Sequence, residues 1–170
     1  MLKKKIWISI LLLGAVATAL AFSPLKVLEH YLPEERALLL YQIIEEEYQM
    51  CPEINPLIVL AIIKTESDFR NVYGDNGKAV GYMQIHQETM WYVANFYPDI
   101  AEFTNRIKFS DLIRFPGYQI RIGYRYLCLI HRFICDNDIV CTISRYNGDK
   151  TLNYYERVLI NQLKILEVGR

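Results

Sequence analysis

A single glutamate at the end of a strongly apolar segment is the first candidate for chemistry. The segment "NPLIVLAIIKTES" predicts a helix from Pro56 to about Ser67, with Asn55 as its N-cap. Because this helix is apolar on nearly every side, we expect it to lie in the middle of the domain. Glu66 stands at its C-terminal end, where the helix dipole and apolar neighbours raise the pKa of a carboxyl group. Such an acid can donate a proton near neutral pH. The alternative is a solvated glutamate that simply ends a helix.

Three short motifs share an order with those of a known enzyme family. They are "ESDF" at residues 66–69, "GYMQI" at residues 81–85 and "YNG" at residues 146–148. They resemble the E-S-x-F helix end, the G-L-M-Q-I turn and the A-Y-N-A-G segment of the SLT-type (family 1) lytic transglycosylases. Two further segments, "PGYQIRIGYRYL" and "TLNY", resemble that family's P-x-x-N-I-x-x-G-x-x-Y-L helix and its T-x-x-Y segment. The resemblance spans about Asn55 to Val158.

This resemblance implies a lysozyme-like, all-α domain with a catalytic cleft that cleaves the β-1,4 bond between N-acetylmuramic acid and N-acetylglucosamine. Glu66 would match the family's sole catalytic carboxylate, protonating the leaving oxygen and then accepting the proton of the muramoyl C6 hydroxyl. The product is a 1,6-anhydro sugar, and no water is consumed. A second carboxylate is not obligatory, because the substrate's acetamido group can support the cationic carbon.

The other motif residues would bind substrate or would instead have packing and turn roles. Gly81 would let the backbone approach a sugar closely. Met83 and Gln84 would supply a soft wall and an amide for N-acetyl and hydroxyl groups. Asn147 would hold an acetamido group.

Three hydroxyl groups complete the expected site. Ser67 would orient Glu66 or contact the leaving sugar. Tyr146 is expected to hydrogen-bond Glu66. Tyr154 is the tyrosine of the T-x-x-Y segment, although Tyr155 competes for the same place.

The chain departs from the family pattern at several positions. Tyr82 stands where leucine is usual, Gln119 where asparagine is usual and Arg145 where a small residue is preferred. Only three residues separate Asn147 from Thr151, and the family's loop is usually longer. These departures bear on affinity and strand-length preference more than on the chemistry.

Two other functions compete with this one. A goose-lysozyme-like muramidase would use Glu66 and deliver water, with Asp75 or Asp149 as the second acid. Asp68 is poorly placed, because residues two apart on a helix do not face each other. The third possibility is a catalytically idle wall-binding part of an envelope-spanning assembly.

The N-terminal 21 residues, "MLKKKIWISILLLGAVATALA", have the charged, apolar and small-residue order of a secretory signal. We expect cleavage after Ala21, in preference to a retained anchor. The expected location is the periplasm or cell envelope. Residues 22–50 would form a helical extension, and residues 51–170 the transglycosylase domain.

The charge composition limits the classes of molecule that the chain is expected to bind. With 19 basic and 19 acidic residues and no basic stripe, no nucleic-acid partner is expected. We expect a monomer that acts on peptidoglycan strands without a cofactor or metal. Small members of the resembled family often serve secretion, conjugation or phage-entry assemblies.

Four cysteines predict two disulfides if the protein is exported, the alternative being buried free thiols. Within one helix the Cα atoms of Cys128 and Cys135 would be about 10.5 Å apart, which is too far for a bridge. Cys135 and Cys141 bracket the turn "DNDIV". We therefore predict the pairs Cys135–Cys141 and Cys51–Cys128.

Apolar spacing predicts further helices at residues 33–49, 87–96, 116–133 and 138–145, with a last helix capped by Thr151. Residues 71–81 are predicted to form a loop. The first of these helices should bury a stripe formed by Leu38, Tyr41, Ile44 and Tyr48. The last should bury Val158, Leu159, Leu163 and Leu166.

Overall fold

The computed structural model describes residues 22–148 and 152–170, and the described chain is mostly helical. The predicted signal segment, the Thr151 cap and Asp149 lie outside the described residues. The helices are α1 (Pro24–Tyr31), α2 (Glu34–Met50), α3 (Pro56–Ser67), α4 (Gln87–Ala94), α5 (Pro98–Thr104), α6 (Pro116–Phe133), α7 (Ile139–Tyr146) and α8 (Asn153–Val168). Short 3₁₀ turns cover Asp75–Gly77 and Phe109–Arg114.

Helix α3 is the centre of the hydrophobic core, as its sequence predicts. The Asn55 side chain accepts a hydrogen bond from the Leu57 N–H at 2.8 Å, and Pro56 occupies the first turn. Every residue from Ile58 to Ile63 is buried, and the helix packs against α8. A helix surrounded in this way has a fixed C-terminal end, which is where Glu66 stands.

Two strands of a small antiparallel sheet lie in residues 71–81, which were predicted to be a loop, and the third strand follows that segment. Its strands are β1 (Tyr73–Gly74), β2 (Ala79–Val80) and β3 (Ile85–His86), in that order across the sheet. Tyr73 pairs with Val80, and Ala79 pairs with His86. Strands of two residues are too short to show the apolar alternation that identifies a strand in sequence.

Helices α2 and α6 are joined along one seam, which we call the α2–α6 seam, by an ion-pair cluster and a disulfide. Glu47 is only 1% exposed, and its carboxylate accepts hydrogen bonds from Arg121 and Arg125 at 2.8 Å. One turn further along, Cys51 is bonded to Cys128. The second disulfide joins Cys135 and Cys141, so both bridges are the pairs predicted from the sequence.

Burial of Glu47 changes which face of α2 packs inward, and the predicted stripe is wrong for that reason. Ile44 is buried as predicted, but Leu38 is 39% exposed, and Tyr41 and Tyr48 are only partly buried. The buried face instead contains the residues Ala37, Leu40, Ile43, Ile44 and Glu47.

Helix α8 also buries a different set of residues from the one predicted. Val158 is fully buried, but Leu159 and Leu163 are 40% and 60% exposed. The face toward the core carries Tyr154, Val158 and Ile165. Apolar residues lie on more than one side of α8, so their spacing alone did not identify the packed side.

The two ends of the described chain meet. The Ser23 N–H donates a hydrogen bond to the Gly169 carbonyl at 3.0 Å, and the Lys26 ammonium donates to the Arg170 carbonyl at 2.9 Å. Helix α1 lies within the helical extension predicted for residues 22–50 and buries Val27 and Leu28. Helix α5 was not predicted, and both helices begin with a proline. Within residues 22–148 and 152–170, no helix has both the length and the apolarity needed to cross a membrane.

Candidate functional site

Glu66 opens into a cleft of about 190 Å³ between α3, the small sheet and α7. We call it the Glu66 cleft. The residues that line it are Glu66, Asp75, Ala79, Gln84, His86, Tyr146 and Asn147. The Glu66 side chain is half-buried, and its Oε1 accepts a hydrogen bond from the Tyr154 hydroxyl at 2.5 Å. A carboxyl group is thus held by one hydroxyl while it faces a space that a ligand can enter.

The electrostatic surroundings of Glu66 favour its protonated form. Burial raises the pKa of this carboxyl above its usual value. The Tyr154 hydrogen bond and the charges of Arg157 and His86 act in the opposite direction without cancelling that effect. Burial together with the nearby Glu66 charge also raises the pKa of Tyr154, so its hydroxyl keeps its proton and remains a donor. The arrangement therefore suits proton transfer by Glu66.

The turn from Gly81 to Gln84 forms one wall of the cleft and is held from behind. Gly81 has a φ of +82° and Gln84 a φ of +47°. The Gln119 amide accepts a hydrogen bond from the Tyr82 N–H at 3.0 Å and donates to Asn71 and Leu112. A Cβ at Gly81 would lie 2.0 Å from the Gln119 oxygen, so the glycine is required by this packing on the turn's inner side.

Gln84 is itself bonded to the backbone through its side-chain nitrogen. That nitrogen donates to the Gly81 carbonyl at 2.8 Å and to the Val72 carbonyl at 3.2 Å. Its amide is consequently fixed in place on the cleft wall. The amide oxygen lies against Gly74, where a Cβ would be 1.8 Å away.

Two of the predicted substrate-binding residues lie behind the cleft. Ser67 is buried, and its hydroxyl is bonded to the carbonyls of Tyr82 and Ile63 at 2.8 and 3.1 Å. Met83 is fully buried and packs against Gly123, where a Cβ would lie 2.4 Å from its sulfur. Both residues secure the turn to the helices that carry it.

Tyr154 makes the hydrogen bond to Glu66 that was expected of Tyr146 from the sequence. The Tyr146 hydroxyl donates to the Met83 carbonyl at 2.9 Å, although a bond to Glu66 was predicted. Tyr154 makes the bond to Glu66, and Tyr155 does not take that place. Asn147 is exposed at the C-cap of α7 and lines the cleft, as a residue for binding substrate would.

Of the other acids considered, Asp75 alone is described in the cleft. It follows β1 in a left-handed backbone conformation, with a φ of +44°. Asp68 does not line the cleft and pairs with Lys64 at 2.8 Å. A chemistry that needs a second carboxylate would therefore have Asp75 available.

Two basic residues near Glu66 were missed by sequence reasoning. His86 directly follows the "GYMQI" motif, and Arg157 is three residues after Tyr154 on α8, with its guanidinium over the Tyr154 ring. Their positions beside motif residues were the only signal in the sequence. Across the part of the chain that the structure describes, no group of histidine, cysteine and acidic side chains is placed to hold a metal ion.

Comparison of the chain with protein-family models, curated proteins and solved structures gives no match.

Proposed function

We propose that the chain is a peptidoglycan lytic transglycosylase with a lysozyme-like helical domain. The observation that carries the proposal is the state of Glu66. It is a half-buried carboxyl with a raised pKa, it accepts a hydrogen bond from Tyr154, and it faces a cleft. The sequence resemblance supplies the reaction, and the geometry is compatible with it.

In the proposed reaction, protonated Glu66 gives its proton to the glycosidic oxygen as the bond from C1 of the muramoyl residue to that oxygen breaks. The C6 hydroxyl of the same sugar then attacks C1, and its proton passes to the Glu66 carboxylate. One C–O bond breaks and one forms, Glu66 regains its proton, and no water enters. A group that acts first as an acid and then as a base needs a pKa near the working pH, which a raised carboxyl pKa favours.

The neighbours of Glu66 have specific roles in this proposal. The Tyr154 hydroxyl stabilises the carboxylate after proton transfer and fixes its direction. The Gln84 amide oxygen and the exposed Asn147 offer groups for the sugar's N-acetyl and hydroxyl substituents. Ser67 and Met83 support the cleft from behind, since both are buried and the Ser67 hydroxyl is already bonded. Tyr146 lines the cleft, and its hydroxyl is bonded to the Met83 carbonyl.

The two disulfides are consistent with an exported protein in an oxidising compartment. We place the enzyme in the periplasm or cell envelope, as a monomer that acts on glycan strands. Service to a secretion, conjugation or phage-entry assembly is part of the same proposal.

One observation favours a second candidate, a muramidase that hydrolyses the same bond. Asp75 lines the cleft together with Glu66 and could direct a water molecule to C1. In that case Glu66 would act as the acid alone. The two reactions differ in whether water is consumed.

The decisive experiment is the mass of the products released from purified peptidoglycan. A transglycosylase gives 1,6-anhydromuramoyl products, each lighter by one water than the hydrolytic product. Asp75→Asn should leave those products unchanged in kind. Reducing ends as the main product, lost in Asp75→Asn, would assign the chain to the muramidase reaction. No release by the wild-type protein would leave a wall-binding role.

A further inference from the structure

A groove of about 760 Å³ runs along the N-terminal half of α2. We call it the α2 groove. One of its walls is the surface of α2 itself, and the other contains a residue that follows α3 and a residue of the Gly81–Gln84 turn. The lining residues used below are Glu35, Leu38, Leu39 and Gln42 on α2, and Asn71 and Tyr82 on the second wall.

Both walls of the α2 groove are held by α6, so the groove exists before any ligand binds. The α2 wall is joined to α6 through the ion pairs and the disulfide of the α2–α6 seam. On the second wall, the Gln119 side chain of α6 accepts a hydrogen bond from the Tyr82 N–H at 3.0 Å and donates one to the Asn71 side chain at 2.9 Å. A site that is already formed has less conformational freedom to lose on binding, which favours affinity.

Leu38 and Leu39 give the α2 groove its apolar surface. Each is 39% exposed, whereas Leu40 and Ile44, on the packed side of the same helix, are fully buried. Helix α2 therefore carries apolar residues on two sides, and the described part of the chain covers only one of them. The apolar face of a partner helix would remove these leucines from water, as in other complexes in which a helix lies in a groove.

Acidic residues stand at both ends of this apolar surface. Glu34 and Glu35 precede the leucines, and Glu45 comes three residues after Gln42, on the same side of the helix. None of these three glutamates forms an ion pair with a described residue. The ten residues from Glu35 to Glu45 correspond to about 15 Å along the helix axis.

The basic residue of the α2 groove is already engaged. Among the described residues that line the groove, Arg36 alone is basic. Burial raises the pKa of the Tyr82 hydroxyl, and the charge of Arg36 and its hydrogen bond to that hydroxyl oppose the rise. The charged groups left open to a partner at the two ends of the leucines are therefore carboxylates. Basic residues complement them, and an acidic partner would be repelled.

We propose that the α2 groove binds a basic amphipathic helix of a partner protein. The apolar face of that helix contacts Leu38 and Leu39, and a lysine or arginine faces the acidic residues at each end. The proposal goes beyond the reaction at Glu66 and does not depend on it, because no described residue lines both the α2 groove and the Glu66 cleft.

The test measures binding of two synthetic helical peptides of about four turns each. The first has leucines along one face and a lysine at each end of that face, about 15 Å apart to match the glutamates. The second carries glutamate in place of each lysine. Fluorescence anisotropy of the labelled peptides gives their affinities. The lysine peptide should bind at least about tenfold more tightly than the glutamate peptide, because like charges at an interface are strongly unfavourable.

Two kinds of variant locate the bound peptide. Leu38→Ser together with Leu39→Ser removes the apolar contact and should weaken binding about tenfold or more. Glu35→Gln and Glu45→Gln should each weaken binding by up to about fivefold, as expected for an exposed ion pair, and this difference should disappear at high salt. The four residues are exposed or partly exposed, so thermal unfolding should be unchanged and verifies the fold.

The matched controls are Leu163→Ser and Glu167→Gln on α8. Both residues are exposed and neither lines the α2 groove, so these changes should not alter binding. Equal binding of the lysine peptide by the double leucine variant and the parent would overturn the proposal. So would equal affinity for the two peptides, or an equal loss in the α8 controls. A parent dimer that the double leucine variant loses, measured by sedimentation, would assign the groove to a second copy of the chain and would overturn it as well.

The outcome is separate from that of the proposed function. Protein carrying Glu66→Gln should bind the lysine peptide as tightly as the wild type does. Peptide binding by a wild-type protein that releases no anhydro product would remove the transglycosylase activity and keep the docking site. Release of anhydro products by a protein that does not bind the peptide would do the reverse.

Discussion

Two glutamates on neighbouring helices are withdrawn from solvent in opposite ways. In the α2–α6 seam, Glu47 is nearly completely buried and its carboxylate is bonded to two guanidinium groups, which are themselves bonded to Glu46 and Asp99. In the Glu66 cleft, Glu66 is half-buried and bonded to a neutral hydroxyl. The first carboxylate is neutralised by its partners. The second is not neutralised by a bonded cation and faces open space.

The bonded partners of each carboxylate, more clearly than its degree of burial, distinguish a structural glutamate from one that can take part in catalysis. A buried carboxylate with its charge fully paired contributes to the position of two helices. A partly buried carboxyl without a bonded cation keeps a raised pKa and can exchange a proton with a ligand. Changes at each residue should therefore affect different measurements.

The largest expected effect is the loss of activity in Glu66→Gln. Removing the only group proposed to transfer protons should lower turnover on cell wall by a factor on the order of 10²–10⁴ or more. Zymography and product analysis measure it, with circular dichroism to verify the fold. Wild-type turnover in a folded variant would remove Glu66 from the chemistry.

Stability of the same variant should change in a direction set by the pKa. Because the pKa of Glu66 in the folded protein is raised, wild-type stability falls as pH rises through that pKa. Glu66→Gln lacks this loss. Its melting temperature relative to wild type should thus increase from acidic to neutral pH.

Glu47→Gln, in contrast to Glu66→Gln, is expected to lower the stability of the fold and to leave the activity unchanged. Loss of this charge leaves the Arg125 guanidinium buried with a weakened partner, at a cost of about 3–5 kcal/mol in the free energy of unfolding. Urea unfolding measures that cost, and activity per folded molecule should be retained. The control is Glu46→Gln, an exposed neighbour whose ion pair is worth less than about 1 kcal/mol. Equal stability of the two variants would contradict the proposed difference between the buried ion pairs of Glu47 and the exposed ion pair of Glu46.

The disulfide of the α2–α6 seam should have the next largest effect on stability. Replacing Cys51 and Cys128 by serine opens a loop of 77 residues, for which a loss of about 2–4 kcal/mol is typical. The pair Cys135 and Cys141 closes only 6 residues, so its replacement should cost less. Thermal unfolding of the two double variants compares them, and an inverted order would show that chain entropy does not govern these bridges.

The smallest expected effect concerns Tyr154→Phe. Removing the hydroxyl takes away a hydrogen bond that lowers the pKa of Glu66, so this pKa should rise further. The alkaline limb of the pH–rate profile should move to higher pH, while maximal turnover falls by no more than about tenfold. Tyr155→Phe is the matched control and should leave the profile unchanged. An unmoved alkaline limb in Tyr154→Phe would show that this bond does not tune Glu66.

Local signals in the sequence were sufficient for much of the scaffold. Asn55 and Pro56 located the start of α3, an unbroken apolar run predicted its burial, and Pro116 located the start of α6. The disulfide pairs followed from helix geometry and one turn. These features depend on residues that are close together in the chain or on one simple distance limit.

The features that could not be predicted depend on contacts between residues that are far apart in the sequence. Nothing near Glu47 in the sequence "EEEYQ" distinguishes it from the exposed Glu46, because the arginines that bury it come more than seventy residues later. The sequence motifs likewise do not show which of Tyr146 and Tyr154 bonds to Glu66, because either hydroxyl could do so without a change in any motif residue. Strands of two residues and the seven-residue α5 leave too short a pattern to recognise.

The meeting of the chain's two ends has a consequence for the order of folding. Of the described helices, α1 is made first, yet Val27 and the ring of Phe22 pack against Gly169, which follows the last of them. The Ser23 N–H also donates its backbone hydrogen bond to the Gly169 carbonyl, so α1 cannot complete its docking until Gly169 has been made. Joining the two ends by a short linker and opening the chain elsewhere would turn this last, most distant contact into a local one. Such a circular permutant should assemble α1 and α8 early as one hairpin-like unit.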